Sequence, residues 1–244
     1  MEKAAYTEMA EVENLHWWFS ARREIITSCL RRYCSGEGLS ILDAGSGTGG
    51  NLNLLAGFGR VSALEMDADA AAYSRTVCPA AKVSVGKLPV PAGALEGEPF
   101  DLVTMFDVLE HVEDDQAAVI SAAAVLKPGG LLFVTVPAFQ WLFGPHDAEL
   151  HHFRRYTAGR LRTLAEKAGL KVEASSYFNF LLFPAVVASR AADLLLRRSK
   201  AYGMKLPAPA LNGLLRGLFA SERFLMKLLP LPFGSSVMMI ARKG

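Results

Sequence analysis

The most constraining stretch of the sequence is Asp43-Ala44-Gly45-Ser46-Gly47-Thr48-Gly49-Gly50, which closes the apolar run 39–44. A short apolar run ending in glycines reads as a buried strand that turns sharply into a helix, here over 51–56. Glycines at such a turn let the backbone come close to a ligand, and the helix start offers unpaired N–H groups. Gly45, Gly47 and Gly50 also carry G-x-G-x-x-G spacing, a weak signal by itself. Glu65 strengthens it: about 20 residues on, it ends a second strand, where a carboxylate can accept from both hydroxyls of a ribose. The pair predicts a nucleoside-bearing ligand.

The alternation continues down the chain. Further strands are predicted over 60–65, 82–85, 101–106, 131–136, 171–177 and 236–241. Asp67 can cap a helix over 68–77, and Asp114 and Asp115 open one that runs to Leu126 and stops at Pro128-Gly129-Gly130. Thr157 caps a helix to Ala168, ended by Gly169. Near-continuous apolar strands separated by helices indicate a parallel sheet covered on both faces. Before this core, residues 11–33 read as an amphipathic helix, and within 181–229 helices interrupted by Pro207 and Pro209 precede the last strand.

Composition removes several classes. Hydrophobic residues make up 51%, enough for a sizeable core. No run reaches the ~18–20 uncharged residues of a membrane span. The acidic first 13 residues lack a basic stretch followed by an apolar one, so no secretory signal is expected. Cys29, Cys34 and Cys78 form no C-x-x-C pair, which speaks against a disulfide scaffold or cysteine–zinc site and for a reducing cytosol. The net charge is +2, unevenly spread: residues 1–144 hold 10 Lys/Arg and 18 Asp/Glu, residues 145–244 hold 16 and 6.

Four motifs carry a family resemblance. Ile41-Leu42-Asp43-Ala44-Gly45-Ser46-Gly47-Thr48-Gly49, Leu64-Glu65-Met66-Asp67, Phe100-Asp101-Leu102-Val103 with Val108-Leu109-Glu110-His111-Val112, and Leu126-Lys127-Pro128-Gly129-Gly130 together resemble the class I S-adenosylmethionine-dependent methyltransferases. The Asp before the first glycine and the Lys-Pro-Gly-Gly turn separate the pattern from a dehydrogenase. The resemblance implies an α/β, Rossmann-like doubly wound seven-stranded sheet, mostly parallel with the last strand antiparallel. It implies a single domain over 1–244: a helical cap over 1–38, a cofactor core over 39–180 and 235–244, and a helical insertion or lid over 181–234. It also implies S-adenosyl-L-methionine as cofactor. Asp43 would hold the glycine loop or the cationic amino-acid end, Ala44, Gly45, Ser46, Gly47 and Gly49 would approach it closely, Glu65 would take the ribose, and Met66 would pack on adenine. Gly86 and Lys87 stand where many relatives have an adenine-reading Asp, and Met105, Phe106, Asp107 and His111 would pass near the sulfonium and methionine end.

Methyl transfer needs an aligned nucleophile and, for a hydroxyl, a base. His146 and His152 are the candidates because imidazole titrates near neutrality, and Asp147 can orient one of them. The same loop anchored by salt bridges from Arg154 or Arg155 is the equally weighted alternative. The run His152-Phe153-Arg154-Arg155-Tyr156-Thr157 and the N-terminal His16-Trp17-Trp18-Phe19 with Arg22-Arg23 resemble a bacterial subgroup acting on small molecules and lipid-pathway intermediates. On that resemblance Trp17, Trp18, Arg22, Arg154, Arg155 and Tyr156 are expected at the acceptor. Asp107, Glu110 and His111 share one helical turn; this region is similar to ubiquinone-pathway O-methyltransferases in which such a set binds a divalent cation, but helix initiation and loop anchoring is the preferred reading, and no metal is expected.

The acceptor is expected to be small and partly apolar, with O- favoured over N-methylation. Nucleic acid is not expected, because basic residues are interleaved with Leu in the insertion. Arg216, Arg223 and Lys227 fall on one stripe of a leucine-rich helix, and Arg197, Arg198 and Lys200 follow Leu194-Leu195-Leu196. A helical cap packed on the domain with its basic residues solvated is the preferred reading of 181–229, and peripheral contact with the inner face of a membrane, an acceptor entrance or a homodimer face stay open beside it. The rival readings are a nucleic-acid or protein methyltransferase, and a non-catalytic module that binds the same cofactor.

Overall fold

The computed structural model describes residues 12–34, 36, 38–90, 99–195 and 205–244; Arg197, Arg198 and Lys200 lie outside them. One sheet holds β1 (Leu39–Ala44), β2 (Gly59–Glu65), β3 (Lys82–Val85), β4 (Phe100–Phe106), β5 (Leu126–Pro137), β6 (Leu170–Phe178) and β7 (Ser236–Lys243). The order is β3-β2-β1-β4-β5-β7-β6. β1 pairs in parallel with β2 and β4, whereas β7 runs antiparallel between β5 and β6. The strand order reverses between β1 and β4, which opens a crevice at their carboxyl ends.

The helices are α1 (Trp17–Tyr33), α2 (Leu52–Ala56), α3 (Ala68–Val77), α4 (Asp115–Ala124), α5 (Pro145–Glu149), α6 (Ala158–Lys167), α7 (Phe183–Leu195) and α8 (Pro209–Leu228). Their starts follow from side-chain caps: Asp67 accepts from Ala70 N at 2.8 Å, Asp114 from Ala117 N at 2.8 Å, and Thr157 from Arg160 N at 3.3 Å. Gly169 ends α6 with φ +77°, a conformation that favours glycine.

Alternation along the strands assigns each side chain to a face. Leu42, Val103 and Val134 pack with Ala118 and Val119 of α4 and Leu161 of α6. Ile41, Phe106 and Phe133 pack on the other face with Ile25 of α1, Leu55 of α2 and Phe219 of α8.

Two expectations change. Pro128-Gly129-Gly130 does not stop a helix: α4 already ends at Ala124, and the three residues lie inside β5, where the register against β4 shifts between Phe100 and Leu102. A Cβ on Gly130 would sit 3.0 Å from the carbonyl oxygens of Lys127 and Phe100, so glycine permits the irregularity. Pro209 opens α8 rather than breaking it, because the first helical residue needs no N–H.

The N-terminal helix and the insertion meet each other. Trp18 stacks on Phe219 at 5.0 Å, Trp17 meets the same ring edge-on at 5.9 Å, and Asn212 of α8 accepts from Trp17 N at 2.9 Å. Trp17 and Trp18, expected at the acceptor, are therefore packing residues of the α1–α8 contact. Among the described residues no helix is long and apolar enough to cross a membrane.

Candidate active site

The glycine turn is closed from both sides. Glu65, buried at the end of β2, accepts from Gly47 N at 2.8 Å and Asp67 N at 2.9 Å. A Cβ on Gly45 would reach Val108 at 2.5 Å, and one on Gly49 would reach Ser74 at 2.9 Å. Gly47 has φ +55° and meets nothing within 4 Å, so its face stays open. Ala44 and Ser46 are buried, and Gly86 N donates to Glu65 O at 2.8 Å beyond β3. Met66 is exposed beside Glu65. A tight cradle, an open glycine face and a carboxylate at the strand end fit a nucleoside whose ribose and cationic tail both seek acceptors.

Asp43 lies on β1 opposite Thr104 of β4 and accepts from Thr104 Oγ1 at 2.7 Å. Burial pushes its carboxyl up to about 7, although the Thr104 hydrogen bond and the Arg22 charge work against the shift. It is thus poised to change charge near neutrality.

Arg22 reaches in from α1. Its guanidinium donates to Thr135 Oγ1 at 2.7 Å and lies 3.0 Å from the Asp107 carboxylate, and Thr135 Oγ1 donates to Asp107 at 3.2 Å. Asp107 has φ +57°, a left-handed conformation that costs a non-glycine residue energy and is found where the fold needs it. Phe139 after β5 and Asn179 after β6 share this conformation, with φ +60° and +57°. Met105 and Phe106 are buried, and the Arg22 guanidinium lies 5.8 Å from the centre of the Phe106 ring.

A second cluster joins the loops after β4 and β5. Asp147, wholly buried, accepts from His152 Nδ1 at 2.9 Å, from Arg155 at 2.8 and 3.0 Å, and from Gly144 N at 2.8 Å. Burial alone would raise its carboxyl, but these hydrogen bonds and the Arg155 charge hold it well below the usual carboxylate range. The His152 ring stands 4.6 Å from that of His111, nearly perpendicular. Burial, with His152 beside it, pushes His111 down to about 3, so its ring is neutral. Burial raises Glu110 well above the usual range, and the Asp107 charge adds to this. Glu110 Oε2 and His152 Nε2 are buried without a hydrogen-bond partner.

Among the described residues, ligand atoms of Glu110, His111 and His152 lie within 4.8 Å of one another, so this trio, and not Asp107 with Glu110 and His111, is the set that could hold a metal. Asp107 is instead engaged by Arg22 and Thr135.

A family model described as a methyltransferase domain matches residues 16–175. The chain belongs to this family of methyltransferase domains. It is 33% identical over 165 residues to a protein of Mycolicibacterium smegmatis named as a probable S-adenosylmethionine-dependent methyltransferase, covering 65% of this chain and 61% of that one. It is 38% identical over 104 residues to the ubiquinone biosynthesis O-methyltransferase of a Chelativorans species, 40% of each chain. The chain thus spans less than two thirds of the length of these relatives. The fold matches a Mesorhizobium loti S-adenosylmethionine-dependent methyltransferase with a TM-score of 0.57 at 16% identity, over 88% of this chain and 96% of that one. It also matches Haemonchus contortus phosphoethanolamine N-methyltransferase 2 in complex with S-adenosyl-L-methionine, with a TM-score of 0.55 at 18% identity, over 88% of this chain and 51% of that one.

Three residues of this methyltransferase expected at the acceptor have other partners. Tyr156 is fully buried, donating to Leu109 O at 3.1 Å and Asp115 at 3.0 Å. Arg155 is buried against Asp147 and Ala138 O. Arg154 donates to Val112 O at 3.0 Å and Glu113 O at 2.8 Å and pairs with Asp115. Tyr156 and Arg154 fasten the loop after β5 onto the loop after β4, and Arg155 ties the loop after β5 to itself. Of the two histidines, His152 bonds Asp147, while His146 lies on α5 with its ring pushed below the usual range by burial.

Three residues of the methyltransferase escaped sequence reasoning. Glu13 is buried and accepts from Thr48 Oγ1 at 2.9 Å, and its carboxylate fills the space where Gly50 would carry a Cβ. Thr104 and Thr135 each interrupt an apolar strand, which is the one signal that could have marked them as polar contacts. Glu110 sat in a recognised motif, but its burial has no local signature.

Proposed function

We propose that this chain transfers a methyl group from S-adenosylmethionine to a hydroxyl of a small, partly apolar acceptor, with His152 as the base that removes the hydroxyl proton. The observation that carries this reading is the His152–Asp147 contact beside Glu110 and His111, at the carboxyl ends of β4 and β5. Asp147 is held ionised and accepts from Nδ1 of His152, and Nε2 on the other side of the ring has no hydrogen-bond partner. An imidazole oriented in this way by a carboxylate is suited, in its neutral form, to take a proton from a bound hydroxyl. S-adenosylmethionine supplies a methyl group already activated on a sulfonium. The protein's own residues align it: Glu65 and the glycine turn for the nucleoside, and Asp43 for the positive end. The similarity to an O-methyltransferase over 104 residues supports oxygen as the acceptor atom.

The test is transfer of a labelled methyl group into fractionated small-molecule and lipid extracts. Labelled product formed by the parent and lost in His152→Ala supports the reading. Cofactor binding with no transfer to any fraction would favour the non-catalytic alternative, and product methylated on nitrogen would remove the base.

A further inference from the structure

The outer surface of α1 and α8 carries a groove of about 1040 Å³. Six cations line it, Arg23, Arg31 and Arg32 from α1 and Arg216, Arg223 and Lys227 from α8, against the single carboxylate of Glu24. The sequence explains the convergence. On α1, Arg23, Thr27 and Arg31 recur every fourth residue, while Arg22, Ile25, Ile26 and Leu30 turn inward. On α8, Arg216, Arg223 and Lys227 recur at offsets of seven and four, and Phe219 and Glu222 are buried. The α1–α8 contact brings these two rows face to face.

Glu24 is already saturated by this arrangement. It accepts from Arg216 at 2.9 and 3.1 Å through one oxygen and from Arg223 at 2.7 Å through the other. Arg32 caps the end of α8 through Lys227 O at 3.1 Å. Arg23 feels the crowding: burial lowers its guanidinium, Glu13 opposes this, and the charges of Arg22 and Arg216 lower it further. A surface needed only for solubility mixes charges of both signs. This one concentrates guanidinium groups, whose planar donors match the oxygens of phosphate. The hydroxyls of Ser20 and Ser28 line the same groove.

We propose that the α1–α8 groove is a binding site for a small phosphate-bearing anion. Free phosphate compounds and anionic lipid headgroups share this chemistry. The geometry of α8 favours the free ligand. Four of its five exposed leucines, Leu211, Leu214, Leu218 and Leu225, share one face and would be the part to enter a bilayer, and Leu228 stands apart at the end of the helix. Arg216 lies two residues past Leu214 and Arg223 two before Leu225, roughly 200° around the helix in each case. A membrane that touched the leucines would leave the groove on the far side. The anion would also bear on the cofactor pocket, because Arg23 of the groove donates to Glu13 O at 2.8 Å, and Glu13 holds Thr48 of the glycine turn.

The experiment is calorimetric titration of the full chain with inorganic pyrophosphate in a buffer free of phosphate. The expected result is saturable binding, weakened at least tenfold by Arg31→Ala and by Lys227→Ala, both outside the Glu24 ion pairs. Arg162→Ala, which removes an exposed cation of α6, should leave it unchanged. Absence of saturable binding overturns the proposal, as does equal weakening by all three variants, which would mean a response to net charge alone. A parallel arm uses vesicles of phosphatidylglycerol and phosphatidylcholine. Binding to vesicles that needs Arg31 and Lys227, without binding of pyrophosphate, would assign the groove to a membrane and overturn the free-anion reading.

Discussion

The guanidinium of Arg22 in the N-terminal helix lies 3.0 Å from the carboxylate of Asp107 at the end of β4, and Thr135 of β5 bonds to both. One ion pair thus ties the cap to the two central strands at the mouth of the crevice. Arg22→Met keeps the buried stem but removes the charge. About 1.5–3 kcal/mol of stability should be lost, the scale of hydrogen bonds to a charged group. Cofactor affinity should fall with it, because Asp107 loses the partner that fixes its position. Denaturant unfolding and calorimetry on the same variant check both, and unchanged affinity would confine Arg22 to a structural role.

Glu65→Ala should weaken binding of S-adenosylmethionine and of its demethylated product by about 1.5–3 kcal/mol. The carboxylate also holds Gly47 N and Asp67 N, so the turn itself loosens in this variant. NAD should bind neither protein. Equal affinity of parent and variant for the cofactor would take Glu65 out of the site.

Asp43 makes cofactor binding depend on pH. Its folded value of about 7 lies above the usual 3.8, so between these values the folded state holds a proton that the unfolded state has released. Stability from this group therefore falls as pH rises through that window. Affinity for the cationic cofactor should move the opposite way and increase as pH passes through about 7, where the carboxylate forms. Thr104→Val removes the 2.7 Å hydrogen bond to the ionised form and should shift the midpoint upward. A pH titration of cofactor affinity that is flat in both proteins would show that Asp43 does not meet the positive end.

His152→Ala should lower turnover by ~10²–10⁴ with cofactor affinity retained. His146→Ala should have a smaller effect, because Asp147 bonds His152. Asp147→Asn leaves Arg155 buried beside a neutral amide and should cost about 3–5 kcal/mol of stability, so its folding is measured before its rate. Loss of parental turnover in chelator, restored by a divalent cation, would identify Glu110, His111 and His152 as a metal centre and remove His152 as the base.

His111 should make the fold sensitive to acid. Its folded value of about 3 lies below the usual 6.5, so in that window the unfolded state binds the proton that the folded state refuses. Stability should fall as pH drops from about 6.5 towards about 3, and His111→Asn should flatten this slope. Parallel slopes in parent and variant would show that the ring has access to solvent.

Much of the architecture follows from rules that act over a few residues. The strand bounds 39–44 and 82–85, the caps at Asp67, Asp114 and Thr157, and the glycine stop at Gly169 all recur in the structure as periodicity and capping predict. The glycine turn and the place of Glu65 at the end of β2 were legible for the same reason, because a sharp strand-to-helix turn needs glycines and the end of a strand follows from the apolar period. Pro128-Gly129-Gly130 misled because those residue types break helices and bend strands alike, and only pairing with β4 selects the bend.

The partners of the polar side chains were decided elsewhere. Nothing in the spacing of Glu13 and Thr48, Arg22 and Asp107, or Asp147 and Arg155 tells which of several candidates will meet. The sequence by itself determined where strands, turns and the cofactor loop lie, because those depend on local backbone preference and on the period of apolar residues. Tertiary structure alone decided that Trp17, Trp18 and Tyr156 pack while His152 faces Glu110 and His111. Burial of a side chain is settled by the order of strands across the sheet, and that order brings together residues that no local rule connects.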